Sequence, residues 1–176
     1  MDCRAKGVYV ILFLLAAASA FSLVAGAGYS QTRSLLEERR QQFIAHLKKY
    51  KTTEERVKAA VALVKDKKSD LRNLAIDYLI DRRSGAFAQE AIRLLDDPIV
   101  QRGVIAYFRK VPDPSAILPL VRLLEKNMEG EENPTLQLDI VYALNAITGE
   151  HFSYSPDHSK TDREREIGEI KMWVER

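Results

Sequence analysis

The sequence is short of the residues that usually announce chemistry. Cysteine occurs once, at Cys3, which excludes a disulfide framework and a cysteine-rich zinc site. An excess of one charge is also missing. The 27 Lys+Arg are nearly matched by 25 Asp+Glu, and a net charge of +2 is too small to drive nonspecific nucleic-acid binding. The eight glycines form no phosphate-cradling loop, and no Ser or Cys stands in a nucleophile motif. Nothing therefore points to catalysis, to a cofactor or to a small-molecule substrate. Period-two alternation is absent too, so strands are not expected. What is present is apolar content, at 46% of residues, which excludes a wholly disordered chain.

Part of that content is one uncharged run from Gly7 to Gly28, preceded by Arg4 and Lys6. Its heart is Val8 to Leu15, followed by small residues with small-x-small patterns at Ala18-Ser19-Ala20 and Ala25-Gly26-Ala27. This reads as a signal peptide over residues 1–27, with an uncleaved anchor helix as the alternative, since the run is long enough to span a bilayer of ~30 Å. Both readings deliver the rest of the chain outside the cytoplasm, to a periplasmic or extracellular site. In the second reading residues 7–28 remain as a single-pass tether. Cys3 precedes the run, so it is misplaced for lipoprotein acylation. Asn133-Pro134-Thr135 is blocked as a glycosylation site by its proline. Removal of residues 1–27, which hold Arg4, Lys6 and Asp2, leaves 149 residues with 25 Lys+Arg and 24 Asp+Glu. A chain of that length buries roughly 68–70% of its unfolded surface as one domain. Without cysteine it is stable through packing alone.

From Ser34 onward the apolar spacing is helical. Residues 28–52 hold a lead-in and a first helix with the stripe Leu36, Phe43, Leu47 and Tyr50. Thr52 and Glu55 form a capping box ahead of Val57, Ala60, Val61 and Val64. Ser69 introduces Leu71, Leu74, Ala75, Tyr78 and Leu79. Asp97-Pro98 and Asn133-Pro134 each place a capping side chain before a proline at the first helical position. Gly149 ends the helix that follows Asn133, and Thr161 with Glu164 opens a last helix carrying Ile167, Ile170, Trp173 and Val174. Pro119 breaks the pattern. A helix starting at Pro114 must kink there, or the helix must start later, near Ala116.

The helices repeat. A shift of 29 residues carries Leu71, Ala75, Tyr78 and Leu79 onto Val100, Val104, Tyr107 and Phe108, and Leu94-Leu95 onto Leu123-Leu124. A shift of 36 carries Asp97-Pro98 and Gln101 onto Asn133-Pro134 and Gln137, and the extra seven residues are the polar loop around Asn127 to Glu132, which includes the acidic stretch Glu129 to Glu132. A shift of 31 carries Leu63-Val64 onto Leu94-Leu95. A period near 30 with two helices per unit marks an α-solenoid, whose units bury their apolar faces only by stacking.

Asp97-Pro98-Ile99-Val100-Gln101 followed by Ala116-Ile117-Leu118-Pro119-Leu120-Val121-Arg122-Leu123-Leu124 resembles the two helices of a HEAT repeat. The likeness is to the short HEAT-like variety also found in phycobilisome lyases. The stretch Ala143 to Asp157, with Trp173 later, is similar to the closing segment of such proteins. The resemblance covers about Thr53 to Arg176. It implies an all-α fold, a solenoid of stacked antiparallel helix pairs over residues 53–176, with three clear units. Ser34–Tyr50 lacks the Asp-Pro opening. The motifs are helix-packing patterns and imply architecture, not chemistry.

His151, Asp157, His158 and Asp162 lie close in sequence, but without the spacing of a metal site, so no metal is expected. Phe152, Tyr154 and Trp173 either line a ligand pocket or seal the open end of the solenoid. The need of terminal repeats to cover exposed core favours the seal. Charge placement supplies the candidate binding residues. Lys48, Lys49, Lys51, Arg82, Arg83, Arg109 and Lys110 fall on turns that share one edge of a solenoid, and Asp96, Asp97 and the acidic loop fall on the other. Helix dipoles account for such cations at ~0.3–1 kcal/mol each, and contact with an acidic partner or anionic headgroups is the functional alternative. Arg93 and Arg122 are equivalent under the 29-residue shift and mark a second surface, near Gln89 and Lys58.

These observations lead to the expectation of an exported or membrane-tethered, non-catalytic helical-repeat scaffold that binds a protein. The alternative is a ligand-handling accessory like the chromophore lyases.

Overall fold

A computed structural model describes residues 34–66, 69–129 and 133–176. The expected export segment, Lys67, Lys68 and most of the acidic loop lie outside the described residues. The regular elements among the described residues are all helices, with no strand, as the absence of period-two patterning required. None of their helices is long and apolar enough to cross a membrane.

The chain divides into two compact units, Met1–His46 and Leu47–Arg176. In the first, helix α1 over 34–47 carries i,i+4 bonds from Gln41 to Glu37 (2.8 Å) and Gln42 to Glu38 (3.3 Å). Phe43 is buried, whereas Leu36, expected on the same stripe, is exposed in the first turn; Leu47, the first residue of the second unit, is buried.

The second unit contains α2 (Thr53–Leu63), α3 (Ser69–Asp81), α4 (Ala88–Arg93), α5 (Gln101–Lys110), α6 (Ile117–Glu129), α7 (Pro134–Thr148) and α8 (Lys160–Val174). The capping box at α2 is present, with Thr52 accepting from the Glu55 amide at 3.1 Å and Glu55 accepting from the Thr52 amide. Asn133 caps α7 by accepting from the Leu136 amide, and Gly149 ends it at φ +75°, a conformation that costs glycine nothing.

Two helix starts differ from expectation. The helix after Asp97-Pro98 begins only at Gln101. The Asp97 carboxylate instead bonds the Ile99 amide two residues on and receives Arg72, holding residues 98–100 in a turn. The last helix is capped by Ser159, which accepts from the Asp162 amide, so it starts before Thr161. Pro119 is accommodated by the later start. Pro114–Ala116 form a 3-10 turn, α6 begins at Ile117, and Pro119 falls in its first turn, where no backbone donor is needed.

The 29-residue register reappears in the element boundaries. The 3-10 turns Gly85–Phe87 and Pro114–Ala116 are 29 positions apart, as are the starts of α4 and α6 and the ends of α3 and α5. α3 packs on α2 and α5, α5 on α7 and α4, and α6 on α7 and α8. The buried face includes Ala75, Ile76 and Leu79 of α3, Val104, Tyr107 and Phe108 of α5, and Ile140 and Leu144 of α7. Tyr107 meets Phe87 and Phe108 edge-on, at 4.9 and 5.2 Å between ring centres.

One position of the sequence register carries a recurrent polar tie. Arg72, Gln101 and Gln137 are register equivalents, and each bonds back to the preceding stretch of chain. Arg72 Nε donates to the Val64 carbonyl at 2.7 Å, Gln101 Nε2 to the Leu95 carbonyl at 2.7 Å, and Gln137 Nε2 to Met128 Sδ at 3.0 Å. Val64 and Leu95 are themselves equivalent under the 31-residue shift. Arg72 and Gln101 each satisfy a backbone carbonyl just past a helix end, where intrahelical partners run out, whereas Gln137 meets the Met128 thioether.

Candidate functional site

The end of each helix leaves carbonyls that favour cations, and the sequence places Arg82 and Arg83 after α3 and Arg109 and Lys110 at the end of α5. All four are exposed. Arg83 turns the chain with φ +46°. Arg82 lies over the Tyr78 ring, one turn back, at 5.4 Å. Arg109 reaches across to α7 and lies over the Tyr142 ring at 5.1 Å. Stacking holds each guanidinium while leaving its N–H edge open to an anion. Among the described residues, Arg82, Arg83, Arg109 and Lys110 pair with no carboxylate, and neither do Lys48, Lys49 and Lys51 in the turn before α2.

The opposite helix ends look different. Lys65 pairs with Glu90 at 3.0 Å, Lys126 with Asp96 at 2.7 Å, and Lys171 with Glu125 at 2.6 Å. These three pairs link α4, α6 and α8 in turn, beginning from the end of α2. Arg72 meets Asp97 at 2.5 Å, and its guanidinium holds the Asp97 carboxyl below the usual carboxylate range.

Arg93 and Arg122 occupy matched positions but have different surroundings. Arg93 bonds Glu90 at 3.3 Å, one turn away on α4. Arg122 is exposed and has no ion-pair or hydrogen-bond partner among the described residues. It lines a groove of about 380 Å³ between α4 and α6, with Ile92, Leu95, Pro119 and Leu123 as apolar floor and the Lys126–Asp96 pair at its rim. A second groove of about 290 Å³ runs between α6 and α8, past Met128, Ile167 and Gly168. A third, between α5 and α7, holds Arg102, Ile105, Ala106, Arg109 and Asp139. The structure therefore groups Arg93 and Arg122 with α4 and α6, and Arg82, Arg83, Arg109 and Lys110 with the turns. It does not merge the two sets.

The closing segment is tied down by its own bonds. Phe152 and Trp173 meet edge-on at 5.4 Å, and the Tyr154 hydroxyl donates to Gln137 Oε1. His158 Nδ1 contacts the buried Glu166 at 2.8 Å, and Arg163 donates to the His158 carbonyl. Asp162 is held by Ser159 and Arg165, and the Ser159 hydroxyl bond keeps its carboxyl low. Among the described residues, no three His, Cys, Asp or Glu side chains converge on a metal position.

Sequence reasoning missed Tyr142, Lys126 and the groove floor as parts of these surfaces. Tyr142 carried no signal, being one apolar residue in a helical stripe. Lys126 carried one, because it falls on Asp97 under the 29-residue shift. No protein-family model, curated protein or solved structure matches the chain.

Proposed function

We propose that the chain is an exported or membrane-tethered, non-catalytic scaffold whose residues 53–176 form a HEAT-like α-solenoid that binds a protein partner. The matched element boundaries at 29 residues and the recurrent tie at Arg72, Gln101 and Gln137 support the repeat reading. Export or tethering rests on the uncharged run from Gly7 to Gly28.

The observation that carries the binding role is the groove between α4 and α6. It combines an apolar floor with an arginine that has no partner of its own among the described residues. An apolar floor with an arginine at its edge is a composition that protein interfaces favour. Arg93 is exposed and follows Ile92 of the groove floor in α4.

The test compares the tagged full chain with an Arg93→Glu, Arg122→Glu variant in pull-downs from the native envelope fraction. A stoichiometric protein partner retained by the wild type and lost from the variant, at unchanged helicity, is the expected outcome. A bound pigment or metal in place of a protein overturns the scaffold reading. N-terminal sequencing of the purified chain distinguishes cleavage after Ala20 or Ala27 from a retained tether.

A further inference from the structure

We infer that the turns holding Lys48, Lys49, Lys51, Arg82, Arg83, Arg109 and Lys110 form an edge that docks on an anionic phospholipid surface. This inference stands apart from the groove between α4 and α6, which lies along helix faces. Successive helices joined by short turns reverse direction. The ends of α3 and α5 therefore sit with the starts of α2, α4 and α6, and the three basic turns share one end of the second unit.

The contrast between the two ends carries the argument. At one end Lys65, Arg72, Lys126 and Lys171 are each matched by a carboxylate. At the other, none of the seven cations has an ion pair among the described residues. The dipole of a helix C-terminus explains one or two cations after α3 and α5, but it does not explain why all seven stand without an ion pair among the described residues. Asp113, the carboxylate nearest in sequence to Lys110, is occupied by the Ser115 hydroxyl and amide, at 2.6 and 2.9 Å.

Two features favour lipid headgroups over an acidic protein. The cations are spread over three separate turns rather than gathered around a pocket, which suits mobile headgroups that move to each charge. Exposed tyrosines accompany two of the turns: Tyr142 lies under Arg109, and Tyr50 sits between Lys49 and Lys51. Tyrosine beside cations is the side-chain pairing that membrane interfaces favour.

The test is lysine acetylation of the full chain on vesicles, read by mass spectrometry at each lysine. Neutral phosphatidylcholine vesicles are compared with vesicles holding about 30 mol % phosphatidylglycerol. Tethering by residues 7–28 brings the chain to both, so the readout is local. Lys48, Lys49, Lys51 and Lys110 are expected to react about five-fold more slowly on the anionic vesicles, while Lys58, Lys126 and Lys171 do not change. The protection is expected to disappear at about 0.5 M salt, where screening acts within a few ångströms. It is also expected to disappear when Arg82→Glu, Arg83→Glu, Arg109→Glu and Lys110→Glu are combined. Equal labelling on the two vesicles overturns the inference. Protection by soluble polyglutamate but not by vesicles also overturns it, assigning the edge to an acidic protein.

Discussion

Replacing Asp97 by Asn removes one charge from the tie between the end of α2 and the turn before α5. Asp97 accepts from Arg72 at 2.5 Å and from the Ile99 amide at 3.0 Å, while Arg72 also holds the Val64 carbonyl. The Arg72 side chain is only 11% exposed and Asp97 28%. A fully buried pair costs about 3–5 kcal/mol to break, and an exposed one at most about 1 kcal/mol. The Asn amide oxygen still accepts from Arg72 or Ile99, and water reaches Asp97, so the loss falls between these limits at about 1–2 kcal/mol. In melting temperature that is roughly 3–8 °C. The assay is urea unfolding of the full chain followed by circular dichroism.

The pH dependence has a definite sign. Arg72 lowers the Asp97 carboxyl in the fold, so its contribution is complete above the ordinary value of about 3.9 and fades as pH falls through the lower folded value. The gap between wild type and Asp97→Asn is therefore constant from pH 7 to about 5 and closes in stronger acid. Combining the change with Arg72→Met should cost less than the sum of the two single changes, because both remove one interaction. Equal stability of wild type and variant at pH 7 would refute the reasoning, as would a gap that persists unchanged into strong acid.

Other expectations are simpler. The Tyr107 phenol, buried and bonded to the Ser84 carbonyl at 2.7 Å, is pushed up to about 12 by burial and by the charge of Asp113. Its contribution is full below about pH 10 and is lost as pH rises to 12, about 2–3 kcal/mol in all, so alkaline unfolding curves should be less steep for Tyr107→Phe. Gly103 lies in α5 with Ile76 Cγ2 3.5 Å from where a Cβ would stand, an ordinary contact. Gly103→Ala should stabilise by about 0.5–1 kcal/mol through helix propensity, as thermal melts can show. Gly149→Ala, at φ +75°, should destabilise by about 1 kcal/mol in the same melts.

Local signals in the sequence translated directly into structure. The Thr52–Glu55 box, the Asn133-Pro134 cap and the Gly149 terminus all depend on residues within four positions of one another. The late start after Asp97 has a long-range cause. Asp97 fits a helix cap by its neighbours, but its carboxylate is drawn away by Arg72, 25 positions earlier in the chain. The same limit hid the surfaces. Lys126 meets Asp96 across 30 positions, and Arg109 meets Tyr142 across two helices, so neither pairing follows from spacing along one helix. The register of the repeat was the exception, because it compares distant positions. It matched Arg93 with Arg122 before any geometry, although it did not reveal that Glu90 occupies the first and leaves the second open.

The most direct test of the groove as a protein-contact surface is site-specific photocrosslinking in the native envelope. A photoreactive residue in place of Arg122 is compared with one in place of Glu169, which is exposed on α8 and absent from the grooves described above. A discrete crosslinked protein from position 122, with none from position 169, is the expected result. The same faint ladder from both positions would contradict the account.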